Sequence, residues 1–313
     1  MNKFSIITPT FNRAKYLPRI YECLSQQDIS DIEWIIIDDG STDNTKDVIS
    51  NFERRFKIKY AYQENAGKPT AMNLGFQMAD SYISVFLDSD DILCPHVFNV
   101  VWEYFNIDNE MFKHDCACLT GLSQYKNKDI IGNKFPHDYH VSDYIRYAEN
   151  KNIKGDKCEF FITKILKKYS YPTFKKEKNI APSIVHIRIA LTHKTLYINK
   201  VFQEKQFLPD GLSTQNYWLM YPLGSELYYN ETSIPPFSLR LQIRNSGQYI
   251  FFAKRNKKEH IFKEAKNKII FPLGVLAYYL LRLKYFLKKF QIFKEINDTL
   301  KGKSKHWKKI SNE

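Results

Sequence analysis

Asp88-Ser89-Asp90-Asp91 places three carboxylates in four residues, directly after the apolar run Ile83–Leu87. Like charges held this close repel unless something positive sits among them. A divalent cation gripping a diphosphate is the simplest such charge, because Mg²⁺-type ions take one or two carboxylates together with substrate phosphate oxygens. The competing reading is an acidic turn that caps a helix beginning near Pro95. Three other segments bear on the choice: Thr8-Pro9-Thr10-Phe11-Asn12-Arg13, Asp38-Asp39-Gly40-Ser41-Thr42-Asp43, and the stretch from Asn65 through Gly67, Lys68 and Asn73 to Gly75. Each follows a run of strand character. Parallel strands deliver such loops to one sheet edge, where open α/β sheets bind ligands. One Asp-Gly turn carries little information; four polar loops in order, each after a strand, point to one ligand site.

The elements that must position these loops alternate in a βα rhythm. Strands are expected at Phe4–Thr8, Glu33–Asp38, Ile58–Tyr62 and Ile83–Leu87, the second around the buried-type run Trp34-Ile35-Ile36-Ile37. Helices are expected at Ala14–Gln27, at Asp43–Phe56 with Ser41 or Thr42 as N-cap, and at Lys68–Ala79. Strands separated by helices of about ten residues imply a largely parallel, doubly wound α/β sheet. Residues 116–250 read as shorter mixed elements, with helices at Thr163–Tyr169, Ser183–His193 and Ser238–Lys254 and a turn at Pro209-Asp210-Gly211. His186 and His193 fall on one face of the second of these helices and read as structural, because no third metal ligand accompanies them. His114, His137 and His140 have no ligand spacing.

The four loops closely resemble the family 2 glycosyltransferases, which have the GT-A fold. The likeness covers about the first 95 residues and rests on the opening Thr8–Arg13, Asp38–Asp43, the Asn65–Gly75 pattern and Asp88–Asp91. It implies a Rossmann-like, doubly wound mixed sheet. It also implies roles: Pro9 and Phe11 lining the nucleotide pocket, Asp39 accepting from the base N–H (usually uracil), Lys68 beside the nucleotide, Asp88 facing the ribose and metal shell, and Asp90 binding Mn²⁺ or Mg²⁺. Transfer from a nucleotide sugar passes through an oxocarbenium-like transition state. A metal stabilises the departing diphosphate, and inversion needs a carboxylate to take the acceptor's proton.

Segments Gly155–Glu159, Ile165–Tyr169, Glu177-Lys178 and Leu208–Ser213 resemble the capsule and O-antigen branch of that family. In many relatives there a Glu or Glu-Asp opens the helix expected at Ser183–His193 and supplies the base. The matching residue here is Pro182, which suits a first helical turn but cannot take a proton. Glu177, just upstream, is the first candidate for the base, with Asp156 and Asp210 as alternatives. The resemblance implies transfer of a single sugar, UDP-linked, to a saccharide or lipid-linked saccharide. The chain has no Gln-x-x-Arg-Trp motif and no set of spanning segments, so a processive channel synthase is not expected. The alternative is a catalytically silent GT-A domain that binds nucleotide sugar or glycan as a scaffold. A nucleotidyltransferase would carry a Gly-rich phosphate loop where Pro9-Thr10-Phe11-Asn12 stands.

The 313-residue chain carries a formal net charge of +13. From Lys254 onward there are 17 Lys/Arg against 5 Asp/Glu, and before it 30 against 29. A near-neutral body therefore carries a basic tail. The reading divides the chain into a nucleotide-sugar half at 1–115, an acceptor half at 116–253 and a tail at 254–313. Within the tail, Leu276, Tyr279, Leu280, Phe286, Leu287, Phe290 and Phe293 fall within about 80° of Leu283 on a helical wheel, while Arg282, Lys284, Lys288 and Lys289 flank them. Such a helix suits an anionic membrane surface; packing of its stripe on the protein body is the competing reading. No recognised nucleic-acid module accompanies the basic residues. The longest uncharged apolar stretch, Ile269–Leu281, falls short of the roughly 20 residues a bilayer needs. No secretory signal is expected ahead of Phe4, and five cysteines without redox or zinc spacing read as free thiols. The expected location is the cytoplasm, peripheral on the inner membrane face.

Overall fold

The computed structural model describes residues 3–27, 31–105, 115–149, 153–206 and 217–283. Strands β1 (Phe4–Thr10), β2 (Ile32–Asp38), β3 (Lys57–Tyr62) and β4 (Ile83–Phe86) alternate with helices α1 (Leu17–Ser25), α2 (Thr45–Ser50) and α3 (Lys68–Met78). All seven residues of β2 are buried, as expected of a parallel strand covered on both faces. The four strands pair in parallel in the order β3-β2-β1-β4. Their C-terminal ends, and the four polar loops, therefore share one edge.

The second half makes the sheet mixed. After β5 (Ile92–Leu93) and α4 (Val97–Phe105) come β6 (Cys116–Tyr125), β7 (His140–Ser142), β8 (Lys157–Ile162) and the long β9 (Lys194–Lys205). β8 runs antiparallel to both β4 and β6, while β9 runs parallel to β6. Among the described residues the order is β3-β2-β1-β4-β8-β6-β9-β5, with β7 on β9. Phe4, Trp34, Phe98, Phe160 and Phe202 anchor the main core and are all fully buried. The Phe4 and Phe98 rings lie 4.7 Å apart. Helix α3 comes close to the sheet because it has no side chain at Gly75: a Cβ there would lie 2.4 Å from Ile7 Cγ2.

Buried charge in β2 is compensated locally. The Glu33 carboxylate accepts from Ser5 Oγ at 2.6 Å and the Asp80 amide at 2.8 Å, and pairs with Lys59 Nζ at 2.9 Å. Burial opposes its ionisation, but these donors outweigh that and hold it below its usual 4.5. Removing one partner of a buried ion pair typically costs 3–5 kcal/mol. Glu33→Ala is therefore expected to lower unfolding free energy by about 3 kcal/mol in denaturant titration. Because the folded value is the depressed one, wild-type stability from Glu33 is present above about pH 4.5 and is lost as pH falls through the folded value. The variant should lack that acid-dependent part.

Helix α2 ends at Ser50, six residues before the expected end. The expected caps Ser41 and Thr42 do not serve it. Asp43 Oδ1 accepts from the Thr45 amide at 3.2 Å and from Thr45 Oγ1 at 2.5 Å instead. Beyond β8 lie α5 (Thr163–Leu166), α6 (Ser183–Ala190), α7 (Tyr217–Met220), α8 (Pro222–Glu231), α9 (Leu239–Arg255) and α10 (Ile261–Glu264). Helix α6 stops before His193, so His186 and His193 share no helical face. The five cysteines are unpaired.

The chain divides into two compact units, Met1–Ser225 and Glu226–Glu313. In the second, α9 packs on helix 271–283 through small residues: a Cβ on Gly247 would lie 2.9 Å from Ala277 Cβ. Lys254 Nζ sits 4.6 Å above the Tyr278 ring. No described helix is long and apolar enough to cross a membrane. The expected stripe residues beyond Leu283 lie outside the described residues.

Candidate active site

The four loops are tied to one another by side chains reaching across the sheet edge. Asn12, in left-handed backbone at φ 53°, accepts from the Thr42 amide at 2.8 Å and donates its own amide to Ser41 Oγ at 2.9 Å. Asp43 Oδ2 accepts from the Ala14 amide at 3.1 Å. These bonds join the first loop to the second.

Asp39 joins the second loop to the third. Its carboxylate accepts from Gln63 Nε2 at 2.7 Å and from the Ala66 and Gly67 amides, both at 2.9 Å. A carboxylate offers about four acceptor positions, so about one remains for a ligand. Gly67 must be glycine: its φ is 96°, and a Cβ would lie 2.1 Å from the Lys178 carbonyl oxygen. Through it the third loop packs against the segment leading to Pro182.

Lys68 joins the third loop to the fourth, with Nζ 2.6 Å from Asp88 Oδ1. Burial opposes charge on Asp88, but the Lys68 and Lys205 ammonium groups outweigh it and hold the carboxyl at about 2. Burial, and then the charge on Asp88, push Asp90 above the usual carboxylate range. Burial raises Asp91 to about 7 against the pull of Lys205. The three carboxylates therefore separate by role. Asp91, 1% exposed, turns inward to Lys205 Nζ at 3.0 Å and Gln203 Nε2 at 2.8 Å. Asp88 and Asp90 remain part-exposed at the sheet edge.

Two hard carboxylate oxygen donors suit Mg²⁺ or Mn²⁺ sharing its sphere with phosphate. A cation between them would also relieve the repulsion that raises Asp90. Among the described residues no three His, Cys, Asp or Glu side chains converge on one point, so such an ion would need ligand oxygens as well. Thr10 Oγ1 at the end of β1 is buried without a hydrogen-bond partner. Phe11 is 45% exposed beside it, and Pro9 is part-exposed on the same strand end.

The residues expected near the acceptor are distributed differently. Both Glu177 oxygens are engaged at the start of α8, accepting from the Leu223 amide at 2.7 Å and the Gly224 amide at 2.8 Å. Asp156 pairs with Lys205 at 3.2 Å. Asp210 lies outside the described residues. Pro182 stands at the N-terminus of α6, and its carbonyl accepts from Tyr171 Oη at 3.3 Å. Lys205, which ties Asp91 to Asp156, had no signal in the sequence: it is the last residue of β9, more than 110 positions from its partner Asp91.

The mixed sheet and its four-loop edge define a GT-A fold. S. aureus TarS 1-349 in complex with UDP has the same fold, with a TM-score of 0.58 at 17% identity over 82% of this chain and 72% of that one. The chain belongs to glycosyl transferase family 2, whose sequence profile matches residues 5–170. An uncharacterized glycosyltransferase of Nostoc sp. is 42% identical over 105 residues, 33% of each chain. The GalNAc(5)-diNAcBac-PP-undecaprenol beta-1,3-glucosyltransferase of Campylobacter jejuni is 26% identical over 212 residues, 65% of this chain and 66% of that one. The matches therefore span between a third and two thirds of those relatives' lengths.

Proposed function

We propose that this protein is an inverting glycosyltransferase that moves one sugar from a nucleotide sugar, most simply a UDP-sugar, to a saccharide or lipid-linked saccharide acceptor in surface polysaccharide assembly. The observation that carries the reading is the linkage of Asp39, Lys68 and Asp88 across three loops, which leaves Asp88 and Asp90 at the edge of an otherwise paired site. In this reading Pro9 and Phe11 flank the base, Asp39 accepts from it, Lys68 meets the diphosphate and Asp90 holds Mn²⁺ or Mg²⁺ with Asp88 beside it. The metal would neutralise charge developing on the leaving diphosphate. The undecaprenol-linked substrate in the Campylobacter relative's name favours a lipid-linked acceptor. A thermal-shift screen of UDP- and GDP-sugars with Mn²⁺ tests the reading. A bound donor at 100 times its Kd stabilises by about 2.7 kcal/mol, and a flat response to every donor would contradict it.

A scaffold that binds nucleotide sugar without turnover is the second reading. Pro182 and the engaged Glu177 carboxylate favour it. Nucleotide binding without release of free nucleoside diphosphate from any donor would select it.

We further propose that the second unit rests on an anionic membrane surface. On helix 271–283 the side chains of Leu273, Leu276, Tyr279, Leu280 and Leu283 are 46–60% exposed, and the surrounding sequence is strongly basic. Apolar area facing outward among cations suits an interfacial helix. Leu276→Glu together with Leu280→Glu is expected to abolish co-sedimentation of the full chain with phosphatidylglycerol vesicles at about 0.15 M salt. Undiminished co-sedimentation would contradict this placement.

A further inference from the structure

Glu159 and His186 form a pair that none of the loops above uses. Glu159 lies in β8 one residue from Phe160, which is paired with Val85 of β4. From Val85, β4 runs on toward Asp88, and antiparallel β8 brings Glu159 along the same path. Strand alternation turns Cys158 and Phe160 into the main core and Glu159 to the other face, with Phe161 and His186. The Phe161 ring lies 5.2 Å from His186. Tyr171, buried at the same place, has its phenol pushed up by burial and then by the charges of both Glu159 and Asp88. Glu159 thus lies within electrostatic reach of the Asp88 edge.

His186 is one turn inside α6. Its Nδ1 lies 3.3 Å from the Pro182 carbonyl, and its Nε2 lies 3.3 Å from Glu159 Oε1. With Nδ1–H donating to the carbonyl, Nε2 is buried without a hydrogen bond and lies at ion-pair distance from Glu159, so the protonated ring pairs with the carboxylate by charge. Burial works against that charge, and Glu159 more than restores it, so His186 titrates above its usual 6.5. The pair is not sealed: the Glu159 side chain is 20% exposed and His186 11%. Among the described residues no bond to Glu159 Oε2 competes with a ligand. By contrast, Glu177 would have to give up an amide bond to take a proton, and Asp156 its pairing with Lys205.

We propose that Glu159 is the residue that takes the proton from the acceptor hydroxyl, with His186 as the residue that positions its carboxylate. This rests on the transfer reaction proposed above. The acceptor O–H bond breaks and its proton passes to Glu159 Oε2. The freed oxygen pair bonds to the anomeric carbon as the bond from that carbon to the diphosphate oxygen breaks, and that bonding pair departs with the nucleoside diphosphate. The His186 charge, 3.3 Å from Oε1, holds the carboxylate in place throughout, so Oε2 keeps its direction.

The test uses the full chain, a panel of UDP- and GDP-sugars with Mn²⁺, and release of nucleoside diphosphate as the readout. Water serves as acceptor where no saccharide does. Glu159→Ala is expected to lower kcat by about 10²–10⁴-fold, the usual contribution of a general base, with UDP–Mn²⁺ affinity within about twofold of wild type. Azide brings its own electron pair and needs no deprotonation, so in Glu159→Ala it should restore release and yield a glycosyl azide. His186→Ala should lower kcat with little change in KM, and His186→Gln, which keeps an N–H donor, should recover part of it. Glu159→Ala retaining more than about a tenth of wild-type kcat, or a loss that azide does not restore, would overturn the assignment. Wild-type protein that releases no nucleotide from any donor would overturn the transfer reading, and this assignment with it.

Discussion

Asp90→Asn is expected to abolish Mn²⁺-dependent nucleotide binding and to lower any turnover about 10³-fold, close to 4 kcal/mol of transition-state stabilisation. The substitution keeps the shape of the side chain and removes its charge. In the fold Asp90 has Asp88 as a repelling neighbour, whereas Asp91 carries the structural pairings to β9. Loss of the Asp90 charge therefore removes repulsion and breaks no buried ion pair. Tm without ligand should stay constant or rise slightly, while the Mn²⁺-dependent increase in Tm with UDP disappears. Calorimetric titration and thermal melts of the same preparation separate the two effects. Near-normal turnover in Asp90→Asn would contradict the metal assignment.

Asp39→Asn should damage nucleotide binding by a different route. The carboxylate holds three donors from the third loop at 2.7–2.9 Å. An amide in its place must turn an N–H₂ toward at least one of them, leaving a buried backbone N–H without an acceptor at about 1–3 kcal/mol. The loop that carries Lys68 to Asp88 then loosens, so ordering must be supplied by the ligand. Together with loss of the acceptor for the base, UDP affinity is expected to fall at least about 100-fold, or some 2.7 kcal/mol. Faster hydrogen exchange at the Ala66 and Gly67 amides would locate the cause in the loop. Unchanged exchange and affinity would show that Asp39 neither holds the loop nor meets the ligand.

The difference between the two halves of the chain explains what the sequence could convey. β1, β2 and β4 were legible because buried strands are rich in apolar residues, broken here by Ser5, Glu33 and Ser84 within them, and because each is followed by a polar loop. The N-cap of α2 was misplaced because Ser41 and Thr42 are themselves used by Asn12, a partner 29 and 30 positions away. Short helical stretches, such as the one that ends at Ala190 before His193, do not show where they end. β9 alternates only in part, and its pairing with β6 has register shifts, so no local period marks it. Glu159 and His186 are 27 residues apart on a strand and a helix, and Glu177 finds its amides 46 and 47 positions on. Contacts of this kind come from tertiary topology, which is why the four-loop edge was legible and the side-chain pairings of the second half were not.

Titration of UDP and GDP into the full chain, with and without Mn²⁺, tests the central claim most directly. Saturable, 1:1 nucleotide binding that requires Mn²⁺ and is lost in Asp90→Asn at unchanged Tm is expected. No binding of either nucleotide in the presence of Mn²⁺, by a chain that melts cooperatively, would contradict it.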